Sequence, residues 1–295
     1  MEELTLNTAA RQAGSNGPRA SRRQDMLNVG CGNKFHTDWV NVDMRSNSPH
    51  VLERNLIKGI PFPDNSFNVV YHSQVLEHIP KENAPFFIKE CFRVLRPGGI
   101  LRVVCPDLEN IVEEYRKYLH QNLNDPTPAS EANYDWIMLE LFDQTVRNST
   151  GGMMADHLRR PDIINEDYVL HRTGHVGQSI REYHLSGNTP KGHLRSNLTL
   201  KLLLKKGIPF LWRKIRHKLS SHTTRVGAFR LGGEVHMWMY DRYSLGRLMK
   251  NCGFIGISKK DPHTSDIPDW DRYELDVKGE LVYDPTSLFM EGRKP

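Results

Sequence analysis

The sequence predicts an α/β protein built on a doubly wound, mostly parallel sheet. Three observations lead to this prediction. Apolar runs typical of buried strands alternate with an amphipathic helical pattern over residues 26–107, a Gly-x-Gly turn follows the first run, and the strand pattern returns after residue 236. The stretch between them, 108–235, shows helical patterns but no strand pattern, so we expect a large, mainly helical insertion there.

The first two strands are predicted from short apolar runs. MLNVG starts at Met26 and ends in glycine, and VNVDM covers 40–44. Only residues 33–39 lie between Gly32 and Val40, so a helix that connects the two strands would have about two turns. A crossover this short is unusual between parallel strands.

The next two strands flank one predicted helix. FNVVYHS (67–73) and ILRVVCP (100–106) have the composition of buried strands. Between them, residues 80–95 place apolar side chains at helical spacing, and the sequence RPGG at 96–99 would end the helix.

The predicted insertion begins with a helix after Asp107 and contains a second helical pattern over 134–147. The sheet pattern then resumes. Asp241 can cap a helix, FIGIS (254–258) follows it as a strand, and SLFMEGRK (287–294) is the last predicted strand.

These patterns divide the chain into three parts. Residues 1–24 are rich in small and polar types, and we expect them to form a mobile tail. Residues 25–107 and 236–295 would together form a cofactor-binding domain. The helical insertion 108–235 would cover the substrate as a lid.

The composition excludes several classes of protein. With 38% hydrophobic and 25% charged residues, the 295-residue chain is neither collagen-like, nor a disulfide scaffold, nor wholly disordered. It has neither the run of about 20 apolar residues that spans a membrane nor a signal-peptide pattern. We therefore expect a cytoplasmic protein, with a peripheral position at the inner membrane face as the alternative. The four cysteines lack paired short spacings and are expected to be free thiols.

Positive charge is concentrated in one segment. Residues 191–230 contain eleven Lys or Arg and no Asp or Glu. Such a segment favours an anionic partner, namely a phosphate group, a nucleic acid or an anionic membrane surface. The alternative is a basic helical segment whose charges are simply solvated.

A candidate cofactor site follows the first strand. Gly30, Cys31 and Gly32 would let a ligand approach the backbone closely, and Asp43 ends the next strand, where its carboxylate can accept hydrogen bonds from both hydroxyls of a ribose. Phe35 stands where a dinucleotide-binding fold needs a third glycine, which disfavours NAD, and the chain lacks the P-loop motif. The alternative is a tight turn with an incidental aspartate.

Three segments carry a family resemblance: LNVGCGNKFHTDWVNVD, IPFPDNSFNVVYHSQVLEHI and FFIKECFRVLRPGGILRVVCPD. In this order they resemble class I S-adenosylmethionine-dependent methyltransferases, and most closely the type 11-like bacterial proteins of surface-polysaccharide gene clusters. The resemblance resumes at HMWMYDRYSLGRLMKNCGF and SLFMEGRKP. It implies a seven-stranded, Rossmann-like methyltransferase fold and S-adenosyl-L-methionine as the cofactor.

The same resemblance implies roles for single residues. Asp43 would hold the ribose, Asn55 would accept a hydrogen bond from the adenine amino group, Leu56 would pack on the adenine ring, and Ser73 would face the methionine end. Asn33 and Asn55 depart from the family pattern, which has Gly and Asp there. The full set implied to bind the cofactor is Gly30, Cys31, Gly32, Asp43, Asn55, Leu56 and Ser73.

Methyl transfer to a hydroxyl also needs a base that takes up the hydroxyl proton. His78 lies shortly after the third predicted strand, His72 lies on that strand, and His236 opens the returning sheet segment. We predict that the base is among these three. For each of them the alternative is a structural histidine.

One face of the second predicted helix carries Glu140, Asp143 and Arg147, with Gln144 beside them. This stripe is either an internal ion-pair network or a polar wall for a sugar-like acceptor. No metal site is expected, because the histidines of the insertion lack the spacing of metal ligands. These histidines are His157, His171, His175, His184 and His193.

We therefore expect a methyltransferase that O-methylates a sugar of a cell-surface glycan or of its lipid-linked precursor. Its partners would be a carbohydrate or small-molecule acceptor and an anionic membrane surface or phosphate group at 191–230. One alternative is a nucleic acid methyltransferase that uses 191–230, although HSQV replaces the amine-methylating [DN]PP[FY] motif. The other is a non-catalytic binding module, which the departures at Asn33 and Asn55 suggest.

Overall fold

The computed structural model describes residues 25–46, 48–186 and 221–295. The predicted tail 1–24 and residues 191–220 of the basic segment lie outside the described residues. The strands are β1 (Met26–Val29), β2 (Val40–Asp43), β3 (Val51–Glu53), β4 (Phe67–Ser73), β5 (Leu95–Pro106), β6 (Ile255–Lys260), β7 (Val277–Lys278), β8 (Leu281–Val282) and β9 (Ser287–Arg293).

Seven of these strands form one sheet in the order β3-β2-β1-β4-β5-β9-β6, and β7 pairs with β8 in a separate hairpin. Strands β1 to β5 pair with one another in parallel, whereas β9 runs antiparallel to both β5 and β6. The predicted mostly parallel, seven-stranded sheet is therefore confirmed.

The helices in the described residues are α1 (Ala84–Val94), α2 (Leu108–Asn124), α3 (Pro128–Val146), α4 (Gly152–Leu158), α5 (Glu166–Leu185), α6 (His222–Arg230) and α7 (Arg242–Asn251). Helix α1 buries Phe87, Ile88 and Cys91 at helical spacing against the sheet. Asp241 caps α7 as predicted, because its Oδ1 accepts a hydrogen bond from the amide of Ser244 at 2.7 Å. None of the described helices is both long and apolar enough to cross a bilayer.

Two predicted elements differ in the structure. No helix forms over 33–39; the chain makes turns there and buries Trp39 against the sheet. Helix α1 ends at Val94, before RPGG as predicted, but residues 96–99 lie in β5, which therefore begins before the predicted strand at 100; there Gly98 and Gly99 exchange backbone hydrogen bonds with Lys294. Pairing with the last strand thus overrides the local turn signal.

The two faces of the sheet have separate cores. One core packs α1 and α7 on the sheet, and the other is aromatic and contains Trp39, Tyr71, Trp270 and Tyr273. A third core joins helices α2 to α5 of the predicted insertion through residues that include Trp136. All four cysteines are buried free thiols, as expected.

Arg102 is fully buried in the middle of β5 and fastens the segment 261–276 to the sheet. Its guanidinium donates hydrogen bonds to the carboxylates of Asp276 and Glu291, each at 2.8 Å, and to the carbonyl oxygens of Asp261 and Thr264. Both carboxylates are buried as well. Because a buried charge without a partner is costly, these groups depend on one another.

We predict that Arg102→Met lowers the free energy of unfolding by about 3 to 5 kcal/mol, since it leaves two buried carboxylates without their cation. Denaturant titration would measure this loss. Arg96→Ala is the matched control: its partly exposed pair with Asp25 should contribute less than about 1 kcal/mol. Equal losses for the two variants would contradict the assignment.

Candidate active site at the carboxyl edge of the sheet

The backbone turns sharply directly after β1. Gly30 and Gly32 have φ values of +67° and +53°, a conformation that glycine adopts without strain. The amides of Gly30 and Cys31 both lie within hydrogen-bonding distance of the Val42 carbonyl oxygen, at 2.8 and 3.2 Å. The loop is thereby fixed to β2. Residues 33–39 form turns and not the short connecting helix that was predicted, so no helix N-terminus contributes to this loop.

The two glycines are required for different reasons. A Cβ atom on Gly30 would lie 2.5 Å from Cγ2 of Val75, so Gly30 is needed for packing inside the protein. A Cβ atom on Gly32 would have no heavy atom within 4 Å, and Gly32 is exposed. Gly32 therefore borders open space, and a ligand can approach its backbone closely.

The carboxylate of Asp43 lies beside this loop. Its Oδ2 accepts a hydrogen bond from the Gly32 amide at 2.9 Å, and its Oδ1 accepts one from the Arg45 amide at 3.1 Å. A carboxylate can accept about four hydrogen bonds, so capacity remains for the two hydroxyls of a ribose. The structure thus brings Asp43 to the loop, and its role toward a cofactor stays a prediction.

The other predicted cofactor residues lie at the same edge of the sheet. The Arg54 amide donates to the Asp43 carbonyl oxygen at 2.8 Å, which places Asn55 and Leu56 next to Asp43. Asn55 is exposed and Leu56 packs against the core. Burial raises the pKa of the Cys31 thiol to about 12, and Asp43 adds to the effect. Cys31 would therefore meet a cofactor through its backbone only.

Residues 283–287, far along the chain, contact this loop and the end of β4. Lys34 forms a 2.7 Å ion pair with Asp284 and lies over the ring of Tyr283. Beyond β4, which ends at Ser73, the Gln74 side chain donates to the Ser287 hydroxyl at 2.9 Å. Sequence reasoning missed these contacts, because nothing in the local pattern around Asp284 or Ser287 indicates a partner more than 200 residues earlier.

A cavity of about 320 Å³ adjoins this segment. It lies between the carboxyl ends of β4 and β5 and helices α3, α4 and α5. Its polar lining includes Gln74, Asp107, Gln144, Arg147, His236 and Asp284, and its apolar lining includes Ile111, Met154 and Met239. A larger cavity of about 550 Å³ lies where β1 and β4 begin, at the opposite edge. Ligands of such sheets bind at the carboxyl ends of the strands, so the smaller cavity is the candidate active site.

The polar residues along one face of α3 were expected to form either an internal ion-pair network or a polar wall for an acceptor, and the structure places some of them in each environment. The Glu140 carboxylate pairs with Arg172, whose Nε lies 2.9 Å from Oε1, and Asp143 accepts a hydrogen bond from the Met153 amide at the start of α4. These two acids serve mainly as internal partners. Gln144 and Arg147 face the cavity, as a polar wall would require.

Two of the three predicted base candidates come together. The rings of His78 and His236 are edge to face, with 4.8 Å between their centroids, and His236 lines the cavity. Burial lowers the pKa of His236 to about 3 and also lowers the pKa of His78. Both rings are therefore neutral at neutral pH.

His72 does not reach the cavity. Its side chain is fully buried on the α1 face of the sheet, with its ring 5.1 Å from that of Phe87, and burial lowers its pKa to about 3. The prediction of His72 as a base is at odds with this position. Its placement follows from strand alternation, since a residue two positions from Val70 faces the same helix.

Sequence reasoning also missed Glu77, which precedes His78. Its carboxyl group is fully buried, and burial raises its pKa to about 8. No sequence motif could have linked Glu77 and His78 to His236, because the 108–235 insertion separates them in the sequence.

We predict that Asp43→Ala weakens binding of S-adenosylmethionine by about 1 to 3 kcal/mol, the range for loss of a charged hydrogen-bond partner. Isothermal titration with the cofactor would measure this change. Asp38→Ala is the control, because Asp38 pairs with Arg272 at the surface. An unchanged dissociation constant for Asp43→Ala would show that this carboxylate does not hold the ribose.

Part of the chain, including the loop after β1 and Asp43, is similar to known methyltransferases. Residues 27–103 match a methyltransferase domain family. Proteins of Mycolicibacterium smegmatis and Mycobacterium tuberculosis, both named "Probable S-adenosylmethionine-dependent methyltransferase", are 32% and 35% identical over 28% and 30% of this chain. The match spans 38% of the length of each relative. A phosphoethanolamine N-methyltransferase of Plasmodium falciparum is 27% identical over 28% of this chain and 33% of its own.

Solved structures resemble the chain more weakly. A methyltransferase of Archaeoglobus fulgidus aligns over 91% of this chain and 85% of its own, at 9% identity and a TM-score of 0.36. At this score the resemblance carries no argument about function. Residues 27–103 are thus similar to a methyltransferase domain, and part of the chain is similar to proteins named as probable S-adenosylmethionine-dependent methyltransferases.

Proposed function

We propose that this chain transfers the methyl group of S-adenosylmethionine to a hydroxyl of a sugar, in a cell-surface glycan or its lipid-linked precursor. The observation that carries the proposal is the cavity of about 320 Å³ beside the glycine loop, with its mixed polar and apolar lining. A cavity of this size suits a small molecule or a single residue of a larger one.

The cofactor would bind next to the cavity. Gly32 offers exposed backbone, Asp43 has acceptor capacity for the ribose, and Asn55 and Leu56 lie where an adenine would follow. Asp284 connects the two regions, since it pairs with Lys34 of the loop and lines the cavity. Bound S-adenosylmethionine supplies a methyl group already activated on a sulfonium, so the protein's task is to align the acceptor and exclude water.

The cavity walls suit a sugar acceptor. Gln144 and Arg147 offer hydrogen-bond donors to hydroxyls, and Ile111, Met154 and Met239 offer apolar surface to the carbon face of a sugar ring. Helices α3, α4 and α5 form three of the walls, which helps to keep water away from the reacting atoms.

His236 is the residue we assign to the hydroxyl proton, because it lines the cavity and is neutral. His78 packs against it and would hold its ring. The low basicity of a buried imidazole makes His236 a weak base on its own. Any further activation of the hydroxyl must come from groups next to it.

A sugar is favoured over nucleic acid as the acceptor. The nucleic acid alternative depends on the basic segment 191–230, of which 191–220 lie outside the described residues. Within the described residues, the cavity is lined by both acidic and basic side chains, including Asp107, Asp284 and Arg147. A phosphate backbone would favour a uniformly basic lining.

The proposal is tested by tracing a labelled methyl group from S-adenosylmethionine into separate pools of nucleotide sugars, lipid-linked glycans, RNA, DNA and small amines. We predict label on an oxygen of the sugar-containing pools, and about a 10-fold higher KM for the acceptor in Gln144→Leu, since one hydrogen bond is lost. Cofactor affinity should not change in that variant.

Gln121→Leu, on the exposed surface of α2, is the matched control and should leave the KM unchanged. Transfer of label only to RNA, DNA or an amine nitrogen would refute the sugar acceptor. Cofactor binding without transfer to any pool would favour the non-catalytic alternative.

A further inference from the structure

Three side chains next to the cavity form a compact group of metal-binding type. One carboxylate oxygen of Glu77 and one ring nitrogen each of His78 and His236 lie within 4.8 Å of one another. Glu77 and His78 belong to the 3₁₀ helix Leu76–His78, two residues after the end of β4, and His236 begins the return from the insertion. We call these three residues the Glu-His-His cluster.

The backbone fixes the two parts of the cluster to each other. The carbonyl oxygen of Glu77 accepts hydrogen bonds from the amides of Met237 and Trp238, at 2.6 and 3.2 Å. The His236 amide donates to the Gln144 carbonyl oxygen at 2.9 Å. The approach of the three side chains is thus built into the main chain.

His78 is oriented as metal-binding histidines usually are. Its Nδ1 lies 3.2 Å from the Val235 carbonyl oxygen, so Nδ1 carries the proton and donates it. The lone pair is then on Nε2, which lies 3.9 Å from Oε1 of Glu77. A hydrogen bond from the other ring nitrogen to a backbone carbonyl is the common way to fix a histidine ligand.

The carboxyl group of Glu77 has no explained partner. It is fully buried, and within the described residues neither of its oxygens accepts or donates a hydrogen bond. Burying such a group without a partner costs several kcal/mol in an apolar site, so proteins rarely leave it so. One of its oxygens lies within 4.8 Å of a ring nitrogen of each imidazole, a separation that a shared ligand between the three side chains could bridge.

We propose that the Glu-His-His cluster binds a divalent first-row transition metal ion such as Zn²⁺. Two imidazole nitrogens and one carboxylate oxygen form a donor set that these ions prefer. In a tetrahedral site with bonds of about 2.0 to 2.2 Å the ligand atoms lie about 3.4 Å apart. A separation of up to 4.8 Å in the cluster must therefore shorten by roughly 1.4 Å, through side-chain rotation, when the ion binds. Three protein ligands leave a coordination position open, as catalytic sites do.

The open coordination position would let the ion activate the acceptor hydroxyl, a role that rests on the proposed function. Because His236 lines the cavity, the ion would meet an acceptor hydroxyl there. A hydroxyl on a divalent ion has a lower pKa, so its proton passes to water at neutral pH. The oxygen then forms a bond to the methyl carbon while the carbon–sulfur bond breaks and its electrons return to sulfur. His236 acts in this case as a ligand, with the metal taking over activation of the hydroxyl.

Titration of the chelator-treated full chain with Co²⁺ tests the site directly, because bound Co²⁺ shows visible absorption bands that report its ligands. We expect one equivalent to bind, Zn²⁺ to displace it, and Glu77→Gln, His78→Ala and His236→Ala to weaken binding by about 100-fold or more. Glu82→Gln and His263→Ala are matched controls at exposed positions and should bind as the unchanged chain does. Cofactor affinity of each variant reports whether it is folded.

The outcomes separate this proposal from the proposed function. Absence of Co²⁺ binding, or equal weakening by the exposed controls, would overturn the metal site whatever the activity. Full methyl transfer after chelation, with no ion bound, would overturn the role assigned to the ion in activating the hydroxyl. Stoichiometric Co²⁺ binding that depends on the three residues would support the site, even if no sugar is methylated.

Discussion

The buried guanidinium of Arg102 is the interaction on which the arrangement of the site depends most. It joins the middle of β5 to Asp276 and to Glu291 of β9, and it holds the carbonyl oxygens of Asp261 and Thr264. These groups belong to the chain that returns after the insertion. The hairpin β7–β8 and the residues up to Ser287 follow directly, so the same anchor determines where Asp284 lies.

The position of Asp284 connects the two parts of the site. Through Lys34 it meets the loop after β1, where Gly32 and Asp43 are exposed to a ligand, and on its other side it lines the cavity under α3 and α5. A methyl donor at the loop and an acceptor in the cavity would therefore be neighbours. This proximity is what methyl transfer requires of a protein, because the sulfonium itself provides the activation.

The sequence was sufficient to predict elements whose signal is local. Strands β1, β4 and β5 each contain a short, buried apolar stretch, and Asp43 ends the second strand, so the fold and the loop could be inferred from the sequence. Strand β3 was missed, because three residues with only Val51 buried show no pattern. The helix expected over 33–39 does not form, since burial of Trp39 in the aromatic core prevails over a connection that was too short for a regular helix.

Contacts across the insertion could not be predicted from the sequence. The pairing of Lys34 with Asp284 and the approach of Glu77 to His236 join residues that no short pattern connects. His72 is the opposite case, because strand alternation alone places it on the same face as Val70, under α1. The alternation of side chains along β4 is therefore enough to exclude His72 as a base at the cavity.

A crystal structure with the demethylated cofactor, S-adenosylhomocysteine, would test the central claim most directly. The account predicts that the ribose contacts Asp43, that the backbone at Gly32 lies against the ligand, and that the sulfur points toward the cavity lined by Gln74 and His236. Binding in the larger cavity at the opposite edge of the sheet, or a ribose distant from Asp43, would contradict it.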